Sequence, residues 1–379
     1  MTPKGWRKLP LADVATIQTG IAKGARKAQA PVEIPYLRVA NVQDGFLDLS
    51  EIKTIEVDRS RIERYLLQHG DVLLTEGGDF DKLGRGSVWR GEIGKCVHQN
   101  HVFVVRTNPE VLLPEYLSIL TGSSYGKSYF RKCSKQSTNL ASMNSTQLKA
   151  FPVLLPSISE QSSIVESLSH WDQAINKTER LVTVKERQFH WTLCSLLTKE
   201  NITGEWKKIG DLCDIDLILE KGKPLTNEER IPGNVPVVAG GKTYAYFHNT
   251  STHNMNTITI SASGAYAGYV WYHDYPIWAS DCNVLHAKSA DISVRYLYFV
   301  LKSQQEKLYA LQSGGAQPHV YAKDVILLKL LVPPIKAQRK IENILDAAEQ
   351  EIQLLNLLKE AYVTQRRGIT NKIFSENIT

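Results

Sequence analysis

Two stretches of the chain carry apolar residues at alternating steps of four and three. In residues 159–197 the stripe is Ile164, Leu168, Trp171, Ile175, Thr178 and Val182; in residues 336–374 it is Ile341, Leu345, Ala348, Ile352, Leu355 and Lys359. Both stretches lack proline and nearly lack glycine. This spacing returns a side chain to the same face every two turns, which predicts amphipathic helices with a heptad-like seam. The seam continues raggedly through Phe189 and Leu196, and through Tyr362, Ile369 and Ile373. Thirty-nine residues at 1.5 Å each make a rod of roughly 60 Å, too long to bury its stripe against one small head. Antiparallel pairing of the two helices, as an internal coiled coil, would cover both stripes. Leu181 and Leu358, at the same 177-residue offset, join the expected packing set, and Trp171 and Ala348 are expected to interdigitate as a large and a small residue at equivalent places.

The rest of the chain reads differently. Short β-type runs at 72–75, 101–105, 257–260 and 269–272 alternate with turns rich in Gly, Asn, Asp and Ser. Short helices are expected near 114–120 and 294–301. The parts repeat. Pro156, Ile158, Gln161, Ile164, Leu168 and Ile175 are followed 177 residues later by Pro333, Ile335, Gln338, Ile341, Leu345 and Ile352. The heads match more loosely: Trp6-Arg7-Lys8-Leu9 with Trp206-Lys207-Lys208-Ile209, residues 11–15 with 209–213, Gly24 with Gly222, residues 35–37 with 236–238, and 115–117 with 295–297. The offset falls from 200 to 177, so the first head is longer by insertions. Similar ends with dissimilar middles suggest one scaffold carrying two different surfaces. The expected fold class is α+β: two pseudo-symmetric β-rich globular heads, 1–156 and 200–333, separated by two long antiparallel spacer helices, 157–199 and 334–379 with its tail.

Composition narrows the picture. A chain of 379 residues with 42% hydrophobic content can build two medium domains with true cores. Forty-five basic against 39 acidic residues leave a charge of +6, which permits a polyanionic partner without requiring one. The five cysteines, Cys96, Cys133, Cys194, Cys213 and Cys282, are far apart and lack CxxC spacing, which suits a reducing compartment and not a cysteine-built zinc site. No apolar run of 18 residues is present, and the first residues lack the apolar core of a signal peptide, so a cytoplasmic location is expected. There is no GxGxxG after a strand, no GxxxxGK[ST] loop, no HExxH and no Asn/Asp-Pro-Pro-Tyr/Phe motif. Asp79-Phe80-Asp81-Lys82 reads as a solvated turn. No catalytic, cofactor-binding or metal residue is assigned.

This plan resembles the specificity (S) subunit of type I restriction-modification systems. The resemblance spans nearly the whole chain. It rests on Trp6-Arg7-Lys8-Leu9 with Asp13-Val14, on Trp206-Lys207-Lys208-Ile209 with Asp211-Leu212, on residues 35–42 and 70–75, and on the junctions Leu155-Pro156-x-Ile158-x-x-Gln161 and Val332-Pro333-Pro334-Ile335-x-x-Gln338. The second head departs from the fuller phrase of the first, with Val237-Val238-Ala239-Gly240-Gly241 in place of Tyr-Leu-Arg-Val-Ala-Asn. The resemblance implies a DNA-binding protein without catalysis of its own. Its heads would be target-recognition domains, each reading one half of a bipartite duplex target, with the helices setting the unread gap. It would dock two adenine methyltransferase (M) subunits, with restriction (R) subunits in the full complex. S-adenosylmethionine, ATP and Mg would belong to those partners.

Phosphate contacts position such a protein and side chains at base edges specify it. Candidates in the first head are Lys23, Arg26 and Lys27 in one basic loop, Lys82 and Arg85 in a glycine-rich one, and Lys135, Gln136, Thr138 and Asn139 in a third. Arg85 and Gln136 are favoured for base edges, Lys23 and Lys135 for phosphate. The second head offers Lys221, Lys223, Lys242, Tyr266, Gln317 and His319. Arg180, Lys185, Arg187, Arg339, Arg366 and Arg367 could meet partner subunits, which could also shield Phe189 and Trp191. Two other readings stay open: a stand-alone tandem-head DNA-binding adaptor, and an enzyme with a site between the heads.

Overall fold

The computed structural model describes residues 5–22, 30–78, 83–136, 141–198, 203–213, 217–226 and 228–375, with only the backbone at 78, 135, 136, 141 and 375. The chain divides into two units, Met1–Thr178 with Leu358–Thr379, and Glu179–Leu357. The two long helices, Ile158–Leu196 and Ile335–Ser375, each contribute to both.

In the first unit, a four-stranded antiparallel sheet runs in the order Ala15–Thr19, Val102–Thr107, Val72–Thr75, Gly86–Val88. Val72–Thr75 is buried throughout, which is why it reads as a continuous apolar run and not as an alternation. A three-stranded sheet joins Lys53–Asp58, Pro31–Leu37 and Val97–His98, and Arg7–Pro10 pairs with Pro152–Leu155, the strand leading into the first long helix. Leu11, Leu74, Phe103, Tyr116, Phe130, Phe151 and Phe374 share one core.

The second unit repeats this plan. Its four-stranded sheet is Leu217–Lys221, Cys282–Ala287, Thr257–Ser261, Val270–His273, its three-stranded sheet is Tyr246–His248, Val235–Val238, Trp278–Ala279, and Glu205–Lys208 pairs with Lys329–Val332. The helix Pro114–Gly122 has its counterpart in Val294–Ser303.

Strand register corrects two of the matched phrases. Lys8 lies opposite Leu154, and Trp206 lies opposite the equivalent Leu331, so Trp206 is the counterpart of Lys8 and not of Trp6. Trp6 meets Phe374 edge-on at 6.5 Å, whereas Trp206 is largely exposed. A solvent-facing strand tolerates such a shift in residue type, because the register is set by the backbone ladder. Likewise, Ile21 N–H donates to His98 and Lys223 N–H to Ala279, at matching places beside Leu37 and Val238. Gly20, not Gly24, is therefore the partner of Gly222. Neither has room for a Cβ, which would overlap the carbonyl of His98 or of Ser280. Gly24 lies outside the described residues.

Each long helix is tied down by a buried glutamine in its first turn. Gln161 accepts the Leu113 N–H (2.9 Å) and donates to Val111 O (2.9 Å) and Pro156 O (3.1 Å). Gln338 accepts the Ser293 N–H (2.9 Å) and donates to Pro333 O (2.9 Å) and Asp291 O (3.5 Å). Both are essentially inaccessible to solvent. The Tyr116 hydroxyl donates to Leu154 O (2.6 Å), as Tyr296 does to Leu331 O (2.9 Å).

The helices run antiparallel in each unit. In the first, Ile164 and Ile373 pack on one core, Trp171 meets Tyr362 at 5.8 Å, and Arg366 donates to Asp172 at 2.9 Å. In the second, Lys185 pairs with Glu351 at 2.8 Å, while Phe189 and Leu193 share a core with Ile341 and Leu345. The seam residues Leu168, Thr178 and Val182 are buried, and Ile175 and Leu355 are half-buried. Leu181 and Leu358 are not seam residues: they remain 42% and 40% exposed. Each precedes a stripe position by one residue, which turns it about 100° away. Their shared offset marks the repeat, not burial. Nor does Trp171 pack on Ala348; its neighbour is Tyr362, while Ala348 and Ile352 pack on the second unit's core.

Replacing Gln161 with Leu strands the Leu113 N–H and the carbonyls it served. The expected loss is ~3 kcal/mol, read as a lower urea midpoint, with a similar loss for Gln338→Leu. A midpoint unmoved in both variants would dismiss the clamp.

Two histidines are buried uncharged. His98 Nδ1 meets Val102 O at 2.8 Å and His273 Nε2 meets Thr259 Oγ1 at 2.8 Å. Burial holds them down to about 4 and about 3 from an ordinary 6.5. In this range the unfolded chain binds protons that the folded chain refuses. The stability is complete above 6.5 and falls as pH drops toward the folded values, by ~1.4 kcal/mol per histidine per pH unit. The urea midpoint should decline below that point, and less steeply in His273→Asn than in the parent.

Candidate nucleic-acid interface

One rim of the four-stranded sheet carries the same backbone frame in both units. In the first, Thr75 N–H donates to Arg85 O, Glu76 N–H to His101 O and Met143 N–H to Glu76 O, each at 2.9 Å. Gly77–Gly78 then pairs with Ala141–Ser142, which pairs with Lys135–Gln136. In the second, Ser261 N–H donates to Tyr269 O, Ala262 N–H to Asp281 O and Val320 N–H to Ala262 O. Ser263 bridges His319, which bridges Ser313. Glu76, Gly77, Arg85, His101 and Ser142 thus correspond to Ala262, Ser263, Tyr269, Asp281 and His319. The frame is held in common and no side chain at these places is.

In the first unit, Arg85 is half-buried and its Nη1 donates to Gln43 Oε1 at 2.9 Å. His101 Nδ1 meets Glu76 Oε2 at 2.7 Å, with both side chains reaching solvent. In the second, the Lys242 ammonium lies over Tyr266 (4.6 Å) and Tyr269 (5.4 Å). Gln317 Nε2 donates to Ser263 Oγ at 3.4 Å, and Ser263 Oγ donates to Asp281 Oδ2. The His319 ring stacks on Tyr321 at 6.0 Å, with the Lys323 ammonium 5.4 Å from the tyrosine ring. Gly264, at φ +86°, turns the loop and bonds Pro318 O at 2.9 Å. Such a surface joins cations for phosphate, amides for base edges and an exposed aromatic, Tyr266, for sugar or thymine methyl.

Four of the second unit's candidates therefore come together: Lys242, Tyr266, Gln317 and His319. Lys223 is held elsewhere, its ammonium 5.8 Å from the ring of Trp278, which packs against His248. Lys221 is the last residue of its strand, opposite Asn283. In the first unit Lys23, Arg26, Lys27, Lys82, Thr138 and Asn139 lie outside the described residues, and of Lys135 and Gln136 the strand alone is described. Gln43, Glu76, His101, Tyr269 and Asp281 were missed from sequence. Each stands in or beside a turn far from the others in the chain, and the shared ladder that unites them has no signature in residue type.

Two open grooves lie beside the long helices. A cavity of about 550 Å³ in the first unit is lined by Arg90, Glu115, Lys127, Asp44, Asp172 and Arg366. Its charges form internal pairs: Arg90 with Glu115 at 3.4 Å, Lys127 with Asp44, and Arg366 with Asp172. A cavity of about 1020 Å³ in the second unit includes Arg295, Tyr298, Lys302, Asp346 and Glu349. Arg295 bonds Asp346 (2.5 Å) and Glu349 (2.6 Å), and Lys302 bonds Glu349 (2.6 Å). Burial pushes the Glu349 carboxyl up, but Lys302 and Arg295 outweigh it and hold the group below its ordinary value. The Arg295 and Lys302 pairs fasten the second head's short helix to a long helix, whereas Arg366 with Asp172 joins the two long helices. Lys185 and Arg366, which could meet partner subunits, each form a pair within their own unit. Phe189 is buried against Phe299 without a partner, while Trp191 is 70% exposed. Among the described residues, no group of three or more His, Cys, Asp or Glu is arranged to hold a metal, and no helix is long and apolar enough to cross a membrane.

The Lys242 segment approaches Ser263 so closely that a Cβ on Gly240 would overlap the Ser263 carbonyl. Gly240→Ala should displace residues 262–269 and speed proteolytic cleavage there several-fold, with little change at residues 76–85.

A family model for the type I restriction modification DNA specificity domain matches residues 3–186 and again 203–362. The chain is 21% identical over 410 residues, 99% of its own length and 94% of the other's, to a Methanocaldococcus jannaschii protein provisionally named type I restriction enzyme MjaX specificity subunit. It superposes on the type I restriction-modification system S subunit from M. genitalium with a TM-score of 0.61 at 17% identity, over 98% of both chains. A chain from a structure of complex assembly and conformational transition of the type I R-M system gives 0.62 at 15% identity, over 99% of this chain and 98% of that one.

Proposed function

Since the chain belongs to the type I restriction modification DNA specificity domain family, with one match in each half, we propose that it is the non-catalytic subunit that reads a bipartite duplex target, one half-site per unit. One observation carries this reading: a single backbone frame presents Glu76, Arg85, His101 and Ser142 in one unit and Ala262, Tyr269, Asp281 and His319 in the other. A shared frame with exchanged side chains suits the reading of two different half-sites. The long helices would set the unread gap between half-sites.

The partners are inferred as two adenine methyltransferase subunits, with restriction subunits in the full complex. Support comes from the helices, which leave Leu181, Val184 and Trp191 exposed on the first, and Ile344, Leu354, Leu357, Leu358 and Val363 on the second. Leu181 with Val184, and Leu354 with Leu357 and Leu358, stand three or four residues apart and so form contiguous apolar faces of the kind that partners cover. S-adenosylmethionine, ATP and Mg are assigned to those partners, and the complex to the cytoplasm.

The test is mapping of adenine methylation in DNA exposed to the full chain with the methyltransferase encoded beside it, against each alone. A split motif with a fixed gap, formed only by the pair, is expected. An active pair that leaves no such motif would refute the reading. Arg85→Ala should relax one half-site and leave the other intact, whereas Lys242→Ala should weaken binding across all sequences and lower the salt slope by about one.

A further inference from the structure

The second unit's surface contains an acid where electrostatics alone would exclude one. Asp281 stands between the Trp278–Ala279 and Cys282–Ala287 strands, at the place that His101 occupies in the first unit. It is half-buried, and its Oδ2 accepts from Ser263 Oγ. Among the described residues no cation lies within ion-pair distance of it, although Lys242 is held nearby over Tyr266 and Tyr269. Ser263, in turn, receives the Gln317 amide at 3.4 Å. One carboxylate oxygen is thus fixed from behind by a hydroxyl that the loop positions, and no hydrogen bond within the described residues uses the other.

A carboxylate facing a duplex is repelled by phosphate, and guanine N7 and O6 and thymine O4 give it nothing to accept. Only exocyclic amino groups, cytosine N4 and adenine N6, offer it a donor in the major groove. The first unit repeats this chemistry with different residues: Glu76 is anchored through one oxygen, Oε2, by His101 Nδ1 at 2.7 Å, and it stands beside the same ladder. Two heads that share no side chain at these five places both keep one anchored carboxylate there.

We infer that Asp281 is a specificity-determining residue: its Oδ1 accepts from the amino group of a cytosine or adenine in the half-site read by the second unit, with Ser263 and Gln317 as positioning residues. This rests on the duplex-reading function proposed above. It predicts that one base pair of this half-site is read through the major-groove amino group of its C or A, and that removing that amino group from the DNA costs the parent its preference there.

The experiment maps adenine methylation by the full chain with its methyltransferase, comparing the parent with Asp281→Asn and Asp281→Ala. In Asp281→Ala one position of one half-site should lose its preference by about ten-fold or more, and in Asp281→Asn, which keeps an accepting oxygen, by less, with the other half-site and the gap unchanged. Ser263→Ala, which keeps the carboxylate and removes its anchor, should blur the same position by less. An unchanged motif in both Asp281 variants would overturn the inference while leaving the duplex-reading function in place. Loss of methylation at all sites, with Ser263→Ala equally inactive, would make Asp281 a loop anchor and overturn it too. Absence of a split motif in the parent would instead remove the underlying reading.

Discussion

A buried amide at the base of each long helix is the constraint on which the remaining architecture depends. A helix of this length has direction only if its first turn is fixed, and a fixed first turn in an apolar setting needs every backbone group matched. Gln161 and Gln338 do this with one side chain each. They satisfy an N–H and a carbonyl of the segment before the head's short helix, and the carbonyl of the proline that ends the last strand. Head, last strand and helix are joined at one point. The ion pairs farther along, such as Arg295 with Asp346 and Glu349, tighten a direction already chosen. They also differ between the units, which the glutamines do not.

That division of labour explains how two surfaces can diverge on one scaffold. The shared parts of the plan are ladder registers, two glycines pressed against carbonyls at Gly20 and Gly222, helix tyrosines that bond to the last strand, and the glutamine clamps. None of them faces the rim where Arg85, Glu76 and His101 stand in one unit and Tyr269, Asp281 and Ser263 in the other. Change at the rim is therefore cheap for the core. The ladder that carries the loops there is made by backbones, which are indifferent to the side chains they carry.

Much of the architecture was legible beforehand. Helices announce themselves through a spacing sustained over many turns, and buried strands such as Val72–Thr75 through unbroken apolar runs. Gln161 and Gln338 were visible as repeated letters, though not as clamps, since the backbone groups they serve lie far away in the chain. What resisted reading was register and convergence. The tryptophan phrases suggested an alignment two residues off, because exposed strand positions tolerate a shift that a ladder does not. Leu181 and Leu358 shared an offset without sharing a seam. At the candidate interface, basic loops attracted notice by charge, whereas Gln43, His101 and Asp281 gave no local signal; three-dimensional closure alone brings them beside Arg85 or Ser263.

Phe374, packed against Trp6 and Tyr116 in the core of the first unit, carries a consequence for how the molecule comes into being. The second unit is one uninterrupted stretch, Glu179–Leu357, and all of its contacts become possible once that stretch has left the ribosome. The first unit begins earlier in synthesis and closes later, since its core stays open until residues 358–375 arrive. Order of translation and order in which the two cores can be completed run opposite to each other, so a lesion near residue 374 would injure the half of the protein that was made first.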